Sequence, residues 1–151
     1  MATILNADTV TGGAVVTGDA SGQLSLQTAG VTALSLVSGA VINPTVTNYI
    51  ETRFTANSST SITLNLANGT MQDITLTGSP TITMPTAASG KSFTLMLRTG
   101  SGSYTVTWTT VKWPSGTAPT VTTTASRMDI YSFFSDGTNW YGATIGQNYT
   151  P

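Results

Sequence analysis

Short segments of this chain alternate apolar residues with Thr or Ser, and this period of two constrains the fold more than any other feature. The clearest segments are 61–66, 73–77 and 91–98, and Gly, Pro or Asn-Gly separates one from the next. Alternation places every second side chain on the same face of a strand. No segment of useful length shows the i, i+3, i+4, i+7 spacing of an amphipathic helix. The chain is therefore predicted to be all-β.

The spacing of the predicted strands suggests how they are arranged. Several short strands follow one another at intervals of about 8–12 residues, which is typical of β-sandwiches and jelly rolls. The segments 129–134 and 140–143 flank a turn that contains Asp136-Gly137, and this pattern predicts a hairpin. We therefore predict a jelly-roll-like β-sandwich over residues 45–151.

Aromatic residues divide the chain into two parts. Residues 1–48 contain no Phe, Trp or Tyr, and all of these residues occur from Tyr49 onward. Aromatic side chains bury the most area each and dominate protein cores. Residues 45–151 are therefore predicted to fold as a domain, and residues 1–44 are predicted to form an extended N-terminal arm with short β-strands.

Two Gly-bounded segments of the arm carry pairs of alternating leucines. Leu24 and Leu26 share one face of the first short strand, and Leu34 and Leu36 share one face of the second. Strands this short do not bury enough apolar surface to offset the entropy of ordering them. The four leucines are therefore predicted to contact another subunit or another protein. A loosely ordered tail and a strand folded onto the chain's own domain are the alternatives.

The low charge of the chain bears on its partners. Charged residues make up 7% of the chain, with a net charge of −1, whereas about 25% is typical of a domain. Five basic residues cannot neutralise a run of phosphates, so no nucleic-acid partner is predicted. No basic amphipathic stretch or run of about 20 apolar residues suggests a membrane. A surface with so few charges favours association, and we expect the chain to assemble with copies of itself.

The residues of the commonest catalytic and metal sites are missing. The chain has no His and no Cys, so it cannot form a Ser–His–Asp triad, a Cys–His pair or an imidazole or thiolate metal ligand. The six acidic residues are scattered singly and give no local carboxylate pair for zinc or for glycoside hydrolysis. We therefore predict no enzymatic activity, no catalytic or metal-binding residues and no cofactor.

Three tryptophans, Trp108, Trp113 and Trp140, are the candidate interaction residues of the domain. Aromatic side chains most often bury their area, so a place in the core or in a subunit interface is the preferred interpretation. The alternative is that these rings stack on a host polysaccharide. Trp113 precedes Pro114 in a turn-like segment, and it is predicted to be the most exposed of the three.

Residues 93–142 resemble the C-terminal β modules of tailed-phage structural proteins. The resemblance is carried by the turn W-P-x-G-x-x-P within 112–121 and by the hairpin D-x-Y-x-F-x-x-D-G-x-x-W-Y-G over 129–142. Residues 17–28 are similar to the Gly-punctuated short repeats of trimeric phage fibres. The resemblance implies a virion location, a β-rich fold and a trimer, and it implies no catalytic residues.

The length of the chain helps to choose between two functions. Phage fibres are generally long, with an attachment domain, a shaft and a tip, whereas this chain has room for one arm and one module. We therefore expect a capsid decoration (cement) protein that is assembled in the host cytoplasm. It would form a trimer on the outer surface of the head, bind the major capsid protein and stabilise the shell. The alternative is a short tail-fibre or receptor-binding module that contacts host surface polysaccharide.

Overall fold

The computed structural model describes residues 27–28, 31–32 and 47–151. Contacts divide the chain into two units, Met1–Thr47 and Asn48–Pro151. Each unit is described by itself.

In the first unit, two short strands form an antiparallel pair. These strands are β1 (Gln27–Thr28) and β2 (Val31–Thr32). The leucines that are predicted to make the contacts of the arm lie outside the described residues, so their role stays a prediction. They are Leu24, Leu26, Leu34 and Leu36.

The second unit contains nine β-strands and no α-helix, and the all-β prediction is confirmed. Its strands are β3 (Arg53–Ser58), β4 (Ser61–Thr63), β5 (Met71–Leu76), β6 (Thr81–Thr83), β7 (Ser92–Thr99), β8 (Thr107–Thr109), β9 (Val111–Lys112), β10 (Met128–Ser135) and β11 (Trp140–Tyr149). Two short 3-10 helices, Leu66–Asn68 and Pro114–Gly116, lie between them. In the part of the chain that the structure describes, no helix has the length and apolar character needed to cross a membrane.

Strands β3 to β8 wind as three successive coils. The odd-numbered strands of this run pair in parallel in the order β3-β5-β7, and the even-numbered strands pair in parallel in the order β4-β6-β8. The chain thus alternates between two sheets and returns to each sheet one strand further along. This is the path of a parallel β-solenoid, in which β3 and β4 form the first coil.

The C-terminal strands extend the larger sheet with a different pairing. β10 pairs antiparallel with β7 and with β11, and β9 pairs parallel with β11, so the full order is β3-β5-β7-β10-β11-β9. Residues 136–139 join β10 to β11, and the predicted hairpin is confirmed. Asp136 fixes this turn, because its Oδ1 accepts hydrogen bonds from the backbone N–H groups of Thr138 and Asn139 at 2.8 and 2.7 Å.

One apolar core is shared by the two sheets. On β7, Phe93, Leu95 and Leu97 are all buried, as the alternation predicts, and the smaller sheet contributes the fully buried Ile82. The other buried members are Leu64, Ile74, Leu76, Met84, Val121, Tyr131, Phe133 and Trp140. Full burial of one such side chain contributes about 1.5–3 kcal/mol. This core is therefore the main source of stability in the unit.

The jelly-roll topology is not confirmed. A jelly roll is built from antiparallel strands, whereas five of the seven strand pairings in the second unit are parallel. Alternation indicates which face of a strand is buried, but it carries no information on the direction of the neighbouring strand. The connection 59–70 between β3 and β5 has about the dozen residues that a parallel crossover needs. It contains β4 and no α-helix.

Candidate interaction surfaces

The three predicted tryptophans all pack against the core. Trp140 is only 1% exposed. Its ring meets that of Phe93 edge-on, with centroids 5.1 Å apart, and its Nε1 donates a hydrogen bond to the carbonyl of Pro85 at 2.7 Å. Trp108 and Trp113 are half-buried and meet edge to face at 5.2 Å. Trp140 therefore has no ring face free for a ligand within this unit, whereas Trp113 keeps part of its surface exposed.

Trp113 takes its position because Gly142 lets the indole approach β11. A Cβ added at Gly142 would lie 2.6 Å from a ring carbon of Trp113 and 2.9 Å from a ring carbon of Phe133. Side-chain carbons do not approach this closely, so only glycine fits beneath the indole. Trp113 also contributes to the lining of a groove that includes side chains from the outer face of the sheet.

The groove has a volume of about 310 Å³ and a mainly apolar lining. We call it the aromatic groove, and its lining residues are Lys112, Trp113, Pro114, Phe134, Tyr141, Gly142 and Ala143. Phe134 and Tyr141 are cross-strand partners on β10 and β11. Their rings stack with centroids 5.4 Å apart and planes inclined by 16°. Phe134 is 54% exposed, which is unusual for a large side chain in the middle of a sheet.

Sequence reasoning missed Phe134 and Tyr141 as site residues. A signal was present, because Phe133 and Phe134 are consecutive in a strand and must point to opposite faces. Phe133 is fully buried, so Phe134 faces solvent. The same rule puts Tyr141 on the outer face, since it follows the buried Trp140.

A second candidate surface is the unpaired edge of the first coil. Among the described residues, no strand lies beyond β3 in the larger sheet or beyond β4 in the smaller one. We call the free sides of these two strands the open edge. An unpaired edge presents backbone N–H and C=O groups to which another chain can add a strand. At the far end of the larger sheet, β9 has only two residues and Pro114 follows shortly after it. That end therefore presents far fewer unpaired backbone groups.

Backbone hydrogen bonds show which groups of β3 point outward. The carbonyls of Thr52 and Ser58 accept hydrogen bonds from amides at the start of β5 and just beyond its end, at 3.4 and 2.9 Å. Residues that bond to a given neighbour alternate along a strand, so the even-numbered residues from 52 to 58 face β5. The backbone N–H and C=O groups of Arg53, Thr55 and Asn57 therefore face away from it.

Two exposed apolar side chains come shortly before the open edge. Tyr49 is 71% exposed and Ile50 is 94% exposed, and both belong to the segment that leads into β3. Single exposed apolar residues are ordinary on protein surfaces. A Tyr-Ile pair next to an unpaired strand adds apolar area that a partner could bury.

The charged residue of the open edge is engaged in an internal ion pair. Asp73 on β5 is buried between two arginines. It accepts hydrogen bonds from Nε and Nη2 of Arg98 at 2.7 and 3.1 Å, and its Oδ2 also pairs with Nη2 of Arg53 on β3. Charged side chains are a common protection of edge strands against pairing. Because Arg53 is held by Asp73, this protection is weak along β3.

A second buried carboxylate holds the C-terminal part of the unit together. Asp129 accepts hydrogen bonds from the backbone N–H and the hydroxyl of Thr122 at 2.7 Å each, from Tyr131 Oη at 3.0 Å, from Gln147 Nε2 at 3.0 Å and from the backbone N–H of Asn148 at 2.9 Å. Burial acts to raise the pKa of Asp129, but these hydrogen bonds outweigh burial and lower it. Burial and the neighbouring Asp129 charge raise the pKa of the Tyr131 phenol. Asp129 thus serves as an ionised acceptor that ties three segments together.

No group of three or more acidic side chains that could hold a metal ion occurs within the described residues. Comparison of the chain with family models, with curated proteins and with solved structures gives no match. The described residues offer two candidate binding surfaces, the open edge and the aromatic groove.

Proposed function

We propose that this chain is a phage capsid decoration (cement) protein without catalytic activity. It assembles as a trimer on the outer surface of the head, binds the major capsid protein and stabilises the shell. The observation that supports this proposal best is the open edge. Three residues of β3 direct their backbone groups outward, and the exposed Tyr49 and Ile50 come shortly before them.

Strand addition suits a chain with few charges. Main-chain hydrogen bonds supply the affinity in this mode of binding, and the chain has only 7% charged residues. A typical hydrogen bond contributes about 0.5–1.5 kcal/mol, so one short added strand binds weakly. Firm attachment then requires several subunits to engage at once, as a trimer on a symmetric shell would.

The hairpin motif over residues 129–142, which resembles modules of phage structural proteins, also supports a structural role. Its residues Tyr131, Phe133 and Trp140 belong to the buried core of the unit, and its Asp129 and Asp136 accept hydrogen bonds that fix a loop and a turn. The motif therefore describes how a hairpin is packed. A recurrent hairpin of this kind fits a structural module of a virion better than a catalytic site.

The proposal predicts that Thr55→Pro weakens capsid binding strongly and leaves the fold intact. Proline lacks the N–H group that an added strand would bond, and the Thr55 N–H makes no bond to β5, so the β3–β5 pairing survives. Co-sedimentation with empty capsids that lack the protein measures the effect. We expect saturable binding for the wild type and at least about tenfold weaker binding for the variant.

Two further variants make this result interpretable. Thr55→Ala changes the same side chain but keeps the N–H group, and it should bind capsids like the wild type. Ala56→Pro removes an N–H group that faces β5, and it should lower the melting temperature. Light scattering should give the mass of a trimer. Undiminished capsid binding by Thr55→Pro would show that the open edge is not the attachment surface.

A further inference from the structure

We propose that the aromatic groove binds a pyranose ring of an uncharged polysaccharide. This inference does not depend on the proposed assembly role. The groove lies on β9, β10 and β11, at the opposite end of the six-stranded sheet from the open edge. The two surfaces can therefore be altered separately.

The walls of the groove suit a ring with one apolar face. The stacked pair Phe134 and Tyr141 contributes aromatic surface, and Trp113 and Pro114 also line the groove. A pyranose ring presents C–H groups on one face and hydroxyl groups at its edge. Its C–H face can cover the part of the Phe134 ring that is not stacked on Tyr141, since Phe134 is 54% exposed.

The polar groups beside the groove suit hydroxyl groups and carry no net charge. Lys112 is exposed and lines the groove. The hydroxyl of Tyr141 donates a hydrogen bond to Asp136 Oδ2 at 2.9 Å, so a carboxylate lies beside a residue of the lining. The backbone N–H groups of Asn139 and Thr138 lower the pKa of Asp136 to about 2, and it is therefore ionised at neutral pH. One ammonium group donates and one carboxylate accepts, which matches an uncharged, hydroxylated ligand.

The same features argue against other partners. A nucleic acid would require more cations than Lys112. A stable protein interface buries roughly 800 Å² on each partner. The volume of about 310 Å³ lies at the lower end of the range of about 300–1,000 Å³ for small-ligand sites. The groove therefore fits a single sugar ring better than the surface of a second protein.

The decisive variant is Phe134→Ala, tested with neutral oligosaccharides of glucose, galactose and mannose. Saturation-transfer NMR detects the bound sugar, and the intrinsic tryptophan fluorescence should change on binding because Trp113 is one of the lining residues. We expect at least one of these oligosaccharides to bind the wild type. Removal of the exposed ring should weaken this binding about tenfold.

Ile145→Ala is the matched control. Ile145 is 56% exposed, close to the 54% of Phe134, and it lies on β11 outside the groove lining. Its loss should leave sugar binding unchanged, and neither variant should disturb capsid binding. The proposal is overturned if no neutral oligosaccharide binds, if only uronate oligosaccharides bind, or if Phe134→Ala binds as the wild type does. It is also overturned if Phe134→Ala changes the mass in solution, because the groove would then be an interface between copies.

Discussion

Asp129→Ala is expected to lower the free energy of unfolding by about 3–5 kcal/mol, as measured by chemical denaturation. The carboxylate is the shared acceptor of five hydrogen bonds from Thr122, Tyr131, Gln147 and Asn148. A buried donor left without an acceptor costs about 1–3 kcal/mol. Gln147 and Asn148 are exposed enough for water to replace their lost partner. Tyr131 and Thr122 are more deeply placed, and they should account for most of the loss.

Asp136→Ala is the control for this prediction. Asp136 also accepts several hydrogen bonds near the end of β10, but it lies at the surface, where water can take its place. Its substitution should destabilise the protein much less. Equal losses for the two variants would contradict the role assigned to Asp129.

The carboxylate of Asp129 should also make the free energy of unfolding depend on pH. The pKa of Asp129 is lower in the folded chain than its ordinary value of 3.8. The contribution of Asp129 to the free energy of unfolding is therefore complete when the pH is above this ordinary pKa. It is lost as the pH falls through the folded-state pKa. The unfolding free energy of the wild type should decrease below about pH 4. Asp129→Asn should show a shallower decrease over the same range.

Trp140→Ala should cost about 3–5 kcal/mol of stability, the usual range when a large buried aromatic side chain is removed. The indole is almost completely buried, packs against Phe93 and donates a hydrogen bond to the carbonyl of Pro85. Its removal leaves a cavity in the core and a carbonyl without its partner. The midpoint of denaturation measures this loss.

Trp113→Phe is the comparison for this variant. Phenylalanine keeps an aromatic ring over Gly142, and the indole N–H that is lost is buried without a hydrogen-bond acceptor among the described residues. We expect a smaller loss than for Trp140→Ala, because Trp113 is only half-buried and the ring that remains still covers Gly142. If Trp140→Ala were as stable as Trp113→Phe, Trp140 would not be the core residue that its burial indicates.

Local pattern predicted the strands but not their topology. The alternation in Phe93, Leu95 and Leu97 gave the buried face of β7 correctly, and the Asp136-Gly137 pair gave the β10–β11 hairpin. The direction of pairing depends on where the chain goes between strands. Residues 59–70 cross to the second sheet and return, and alternation reads the same whether a neighbour is parallel or antiparallel. Alternation alone therefore could not distinguish the expected jelly roll from the parallel coils of the structure.

The candidate surfaces could be predicted only in part from the sequence. The tryptophans stood out as rare, large residues, but their rarity did not separate the buried Trp140 from the partly exposed Trp113. Phe134 and Tyr141 meet across two strands, and this contact depends on register. The open edge depends on which strands are neighbours. It therefore appears only once the order of the coils is known.

Amide hydrogen exchange on free and capsid-bound protein tests the role of the open edge most directly. In the free protein, the Thr55 amide should exchange quickly, because it faces away from β5, and the Ala56 amide should be protected. Binding to capsids should slow exchange at Thr55 strongly and leave Ala56 almost unchanged. Equal, fast exchange at Thr55 in both states would contradict strand addition at the open edge and, with it, the proposed mode of assembly.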